Sequence, residues 1–170
     1  MKPPGADRTT ERPRFSEATL AEYRALLPRY PTRRAALMPT LWLAQREFGW
    51  LSEPVMAYVA ELMELPLAWV TSAASFYTMY WKAKPARYRL QVCRNLSCAL
   101  RGAEQILGAI EDRLGIANGE QTSDGRFELE EVECLGSCGT APVMQVNNEQ
   151  YHENLDVARA MALIDRLTSQ

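Results

Sequence analysis

Four cysteines in two close pairs are the residues of this sequence best suited to chemistry. The first pair is Cys93-Arg-Asn-Leu-Ser-Cys98, the second is Cys134-Leu-Gly-Ser-Cys138, and 35 residues separate them. A single histidine, His152, rules out multi-histidine zinc sites and leaves little room for a hydrolase triad. Residues 1–14 are polar and carry Asp7 and Glu11, so they read as neither a signal peptide with an apolar core nor an acid-poor transit peptide. Paired cysteines without an export signal point to a metal or redox site in a reducing compartment rather than to disulfides. Four thiolates can hold a [2Fe–2S] cluster with two ligands per iron, and a loop of three or four residues lets two sulfurs reach one iron.

The residues between the cysteines suit that use. Gly136 and Gly139 let the backbone approach a bulky inorganic core, where N–H groups can bond to sulfur. Such bonds, with the charges of Arg94 and Arg101, raise a cluster's potential, whereas the acidic run Glu128, Glu130, Glu131 and Glu133 lowers it. Structural zinc also takes four cysteines, usually in C-x2-C to C-x4-C pairs and often with histidine, so zinc stands as the main alternative. A thioredoxin-type dithiol needs C-x-x-C, which is absent. Two disulfides, or four unrelated buried thiols, are the lesser alternatives, and His152 is not needed as a further ligand.

Two kinds of element must position these residues. Residues 16–81 read as helices. Ser16 is a cap with Phe15 and Leu20 as its apolar staple, and a second helix fits Thr32 to Phe48, capped by Thr32 and closed by Gly49. Pro39 should kink that helix or mark a late start. Ser52 caps a third helix near 53–63, and Pro66 suits the first turn of a fourth, which together make an antiparallel bundle. After a polar joint at 82–87, Tyr88, Leu90 and Val92 alternate with Arg89, Gln91 and Cys93, a strand that delivers Cys93 at its end. Ala103, Ile106, Leu107, Ile110 and Leu114 form a helical stripe ended by Gly115. Phe127, Leu129 and Val132 suggest a second strand. A hairpin over 143–152 turns at Asn147-Asn148, and Asn154 caps a last helix with Val157, Met161 and Ile164 inward. Each cysteine pair is thus expected in a loop at a strand end. The fold class is α+β, and three segments are expected: 1–14, disordered or partner-bound; 15–84, a helical bundle; and 85–170, the cysteine-bearing α/β domain.

Composition agrees with an ordinary folded chain of 170 residues, 47% apolar and 24% charged. No apolar run approaches the roughly 18–20 residues of a bilayer span, so no direct membrane insertion is expected. The net charge of −2 hides an asymmetry: residues 1–86 hold 11 basic against 8 acidic side chains, and residues 87–170 hold 8 against 13. An acidic cysteine-bearing half argues against nucleic acid as its partner. Trp42, Trp50, Trp69, Tyr77 and Trp81 are candidates for a partner-facing patch, although helical spacing places Trp42 and Trp69 in the core. The segment Phe76 to Trp81, apolar on both faces, is a candidate subunit interface. Arg33 and Arg34 read as a solvated helix start.

The stretch from Asp124-Gly-Arg-Phe127 to Cys134-Leu-Gly-Ser-Cys138-Gly-Thr-Ala-Pro142, with the C-x4-C and C-x3-C pairs, resembles the small thioredoxin-like [2Fe–2S] subunit of NADH:quinone oxidoreductase, or respiratory complex I. Leu43-Ala-Gln45, Gly49-Trp-Leu-Ser52 and Ser75-Phe-Tyr-Thr-Met-Tyr80 are similar to segments of its helical part, so the resemblance spans about residues 15–168. Glu128 and the pair Gly139-Thr140 depart from the family's usual residues, and none of the three is a cysteine position. The resemblance implies a helical bundle followed by a thioredoxin-like domain, with one [2Fe–2S] cluster on Cys93, Cys98, Cys134 and Cys138. A cis proline at Pro142 follows from the same fold analogy. The resemblance further implies a partner subunit carrying FMN and oxidising NADH, and a place in the peripheral, cytoplasmic arm of a membrane-bound complex. Enzyme activity then belongs to the complex, since this chain has no nucleotide fingerprint such as G-x-G-x-x-G. Related subunits serve NAD-linked hydrogenases and formate dehydrogenases. A free-standing ferredoxin and a zinc-stabilised interaction module are the other readings.

Overall fold

The computed structural model describes residues 12–170, and most of the N-terminal segment expected at 1–14 lies outside the described residues. The chain divides into two compact units, with the boundary between Lys84 and Pro85.

The first unit is helical: α1 (Glu17–Leu26), α2 (Leu37–Phe48), α3 (Glu53–Met63) and α4 (Leu67–Phe76). Ser16 caps α1, its hydroxyl accepting the Thr19 N–H at 3.3 Å. Pro39 marks a late start. Thr32 closes a turn through the Ala35 N–H, a short 3-10 turn follows, and α2 begins only at Leu37 with Pro39 in its first turn. There the missing N–H breaks no intrahelical bond. Gly49 ends α2 at φ +89°, a backbone geometry that glycine adopts freely. Ser52 stands at the cap position of α3 without making a capping bond. Leu37, Leu41, Ala44 and Phe48 recur at helical spacing and pack with Val55, Val59 and Met63 of α3 and Val70 and Ala74 of α4.

The return segment after α4 is pinned to α2. Gln45, buried, donates through Nε2 to the Met79 carbonyl at 3.0 Å and accepts the Trp81 N–H at 2.7 Å. Tyr80 is buried and donates to the Met38 carbonyl at 2.8 Å. Trp42 and Trp69 are not core residues, being 40% and 43% exposed. Each lies one position beside the inward stripe of its helix, next to Leu41 and Val70. Trp42 packs against the edge of Tyr80, while the Arg34 guanidinium covers Trp69 at 4.2 Å. Arg33 pairs with Glu64 at 2.8 Å.

The second unit carries a four-stranded sheet of order β2-β1-β3-β4, from β1 (Tyr88–Cys93), β2 (Phe127–Val132), β3 (Met144–Val146) and β4 (Gln150–His152). β1 runs parallel to β2 and antiparallel to β3, and β3 and β4 form a hairpin. Asn147 and Asn148 both have positive φ, as the central residues of the turn that Glu149 closes by donating its N–H to the Val146 carbonyl at 3.1 Å. Helices α5 (Leu96–Leu100), α6 (Ala103–Leu114) and α7 (Val157–Thr168) complete the unit. Leu90, Val92 and Leu129 of the sheet share a core with Ile106 and Ile110 of α6 and Leu163 and Ile164 of α7. The last helix differs from the sequence expectation in two ways. Asp156, not Asn154, caps it by accepting the Arg159 N–H at 2.7 Å, and Asn154 instead takes a left-handed turn at φ +49°. Its inward stripe is Ala160, Leu163, Ile164 and Leu167, leaving Val157 39% exposed. The architecture is α+β, helices first and then a sheet with its own helices. No helix among the described residues is long and apolar enough to cross a membrane.

Candidate metal centre

β1 ends at Cys93, whose N–H donates to the Val143 carbonyl at 3.1 Å. The chain then turns at Asn95, whose side chain accepts the Leu96 N–H, and α5 carries Cys98. Cys98 therefore sits in a short helix, not in a loop. On the other side of β1, β2 leads into the loop that bears Cys134, and Cys138 opens a single 3-10 turn, Cys138–Thr140. The peptide bond Ala141-Pro142 is cis, and it leads into the Val143 backbone beside the first pair.

The pairs differ in environment. Cys93 and Cys98 are each 2% exposed, whereas Cys134 and Cys138 face solvent. Burial pushes the Cys98 thiol up to about 11, helped by its bond to the Cys93 side chain and opposed by a backbone hydrogen bond from Val143. The Gly136 N–H donates to the Cys134 sulfur at 3.3 Å and lowers that thiol, and the Cys134 and Cys138 sulfurs lie 3.5 Å apart. Cys138 is raised, chiefly through its contact with Cys134. The pairs meet: the Ser97 hydroxyl, from α5, bonds to Cys138 of the second pair, and Cys138 acts electrostatically on Cys98.

All four sequence-selected cysteines thus come to one end of the sheet. They come as two pairs, and among the described residues no three His, Cys, Asp or Glu side chains converge as ligands of a single ion. Soft thiolate donors grouped two and two, with backbone N–H groups directed at sulfur, fit a two-iron cluster. His152 stands apart on β4. Its Nε2 is buried without a hydrogen-bond partner, and burial lowers its pKa.

Several supporting groups are not among the residues that the sequence singles out. Ser97 and Val143 bond to sulfur, and a serine inside the first pair was a readable signal for the former. The second loop is braced from the far end of the hairpin, with the Asn154 N–H on the Thr140 carbonyl at 2.7 Å and the Tyr151 hydroxyl on the Leu135 carbonyl at 3.3 Å. Nothing in the local sequence links these partners. The charges read as tuning elements are largely paired. Arg94 reaches Glu131 and Glu133 at 3.5 and 3.4 Å, Arg89 holds Glu130 at 2.7 Å and Glu128 at 3.6 Å, and Arg101 donates to the Ala141 carbonyl at 2.7 Å. The acidic run therefore acts on the cysteines as a partly neutralised array. Gly136 has φ +81° and needs glycine for that reason, whereas Gly139 has an ordinary φ.

Residues 23–168, spanning both units, match the family described as thioredoxin-like [2Fe-2S] ferredoxin. An NADH-quinone oxidoreductase subunit of Rhizobium meliloti is 48% identical over 144 residues, 85% of each chain. The NADH-quinone oxidoreductase subunit 2 of Thermus thermophilus is 44% identical over 150 residues, 88% of this chain and 80% of that one. Among solved structures, an NAD+-reducing [NiFe]-hydrogenase in the air-oxidized state superposes with a TM-score of 0.69 at 25% identity. The match covers 79% of this chain and 23% of the hydrogenase chain.

Proposed function

The chain belongs to the thioredoxin-like [2Fe-2S] ferredoxin family, and we propose on that premise that it is the electron-transfer subunit of an NADH:quinone oxidoreductase, with Cys93, Cys98, Cys134 and Cys138 as the ligands of one [2Fe–2S] cluster. The observation that carries the reading is the meeting of two thiol pairs at one end of the sheet in a chain 48% identical to an NADH-quinone oxidoreductase subunit. When bound, the cluster supplies one-electron chemistry to a flavin that hands on the electrons of NADH.

This chain's own residues hold, shield and orient. Cys93 and Cys98 anchor the buried side, where apolar walls exclude water. Cys134 and Cys138 form the open side, which faces the partner. The N–H groups of Gly136 and Val143 favour thiolate over thiol at Cys134 and Cys98, and Ser97 does the same at Cys138. FMN and NADH reside on the flavin-carrying subunit of the complex. Phe76, 78% exposed, and Tyr77 beside it are available to a docking partner. The chain occupies the peripheral arm, on the cytoplasmic side.

Anaerobically purified protein should contain about two irons and two sulfides and give a rhombic EPR signal when reduced. Cys98→Ser and Cys134→Ser should each lose or damage that signal. Colourless protein with one zinc, or a full spectrum surviving both substitutions, would overturn the ligand assignment. The likeness to the hydrogenase supports a second reading, the equivalent subunit of an NAD-linked hydrogenase. The subunits that co-purify decide between the two: quinone-reducing partners favour the first, a nickel-bearing partner the second.

A further inference from the structure

We propose that Glu153 is a positioning residue for the second cysteine pair, clamping the 134–140 loop in its ligating form. The proposal rests on the cluster reading above. One oxygen of the Glu153 carboxylate, Oε1, accepts from the Thr140 hydroxyl at 2.7 Å and from the Ser137 hydroxyl, and the two hydroxyl oxygens lie 2.7 Å from each other. Ser137 immediately precedes Cys138 and Thr140 follows it by two residues, so the clamp grips the ligand from both sides.

Proton counting gives the carboxylate its part. Three oxygens in mutual contact share two hydroxyl protons, and an ionised carboxylate, which only accepts, lets both be used at once. These same bonds hold the Glu153 carboxyl below its ordinary range. The loop needs such a tie. It is exposed, its regular structure is a single 3-10 turn, and its backbone bonds are few: Thr140 N–H to the Ser137 carbonyl at 3.1 Å, and Thr140's carbonyl to Asn154. The Asn154 and Tyr151 bonds fix the two ends of the loop, and Glu153 alone among these partners takes hold next to Cys138. Metal-ligating loops commonly depend on such outer partners.

The test uses full-length, cluster-loaded protein, comparing wild type with E153A, E153Q and the double variant S137A/T140V. A chelator is added and bleaching of the visible absorption is followed, with EPR of the reduced samples. E153A and S137A/T140V should bleach about ten-fold faster or more than wild type. Their EPR signals should shift or broaden. E153Q, which keeps an acceptor oxygen in place, should restore both. General loss of folding does not predict that rescue, and S137A/T140V leaves Glu153 itself intact. E153A bleaching at the wild-type rate with an unchanged signal overturns the proposal, as does E153Q failing as fully as E153A. Wild-type protein without iron and sulfide would instead overturn the cluster reading beneath it.

Discussion

Single side chains set several properties that the chain's overall pattern does not. His152 is the sole histidine, and its buried Nε2 lacks a hydrogen-bond partner. Burial, then the charge of Arg166 on α7, depresses its pKa from the usual 6.5. The folded protein therefore binds fewer protons than the unfolded chain once the pH drops to about that value. Stability is full above this pH and falls as pH is lowered through 6.5 toward the folded pKa. Denaturation measured between about pH 8 and pH 5.5 should show that decline, and His152→Gln should flatten it. An unaltered slope in the variant would assign the decline to other groups. The four cysteines belong to this scale too. Their types and spacing were legible in the sequence, but the contrast between a buried and an exposed pair was not. That contrast arises because Cys98, on α5, joins the buried core of the second unit, while Cys134 and Cys138 lie in an exposed loop.

Among the elements, helices with strong caps were readable and those whose limits depend on neighbours were less so. Ser16, Gly49 and Gly115 mark their helix ends as local chemistry demands. Asn154 failed as a cap because the chain still turns there, and the first side chain able to reach a free N–H is that of Asp156. Trp42 and Trp69 were misplaced by one helical position, about 100° around the axis, enough to turn a side chain from core to surface. Gln45 shows the opposite case. It is a polar residue inside the helical core because it holds the 79–81 segment against α2. Gln45→Met keeps the volume but withdraws both bonds, and should lower the unfolding free energy by about 2 kcal/mol in chemical denaturation. A loss below about 0.5 kcal/mol, the scale of neutral surface changes, would show that the pin contributes nothing.

For the whole molecule, the division between Lys84 and Pro85 places every cysteine, and the surplus of acidic side chains, in the second unit. Lys82 and Lys84 are exposed at this joint, and proline after Lys84 shields that bond from trypsin. Limited trypsin should therefore open the joint after Lys82, and the fragment from Ala83 to Gln170 should retain the iron and sulfide. Loss of the cluster on cleavage would show instead that the helical unit helps to hold it. By itself the sequence determined the two close cysteine pairs, the α+β order, the strand that delivers Cys93 and the Asn147-Asn148 hairpin. These follow from residue type and short-range periodicity, which act within a few residues. Only the tertiary structure decided that the pairs meet through Ser97 and Cys138, that Arg94 and Arg89 partly neutralise the acidic run, and that Glu153 grips the loop around Cys138. Each of these joins residues 13 to 41 positions apart. Such contacts exist only after the sheet has brought the ends of β1, β2 and β4 together, and no local pattern encodes that juxtaposition.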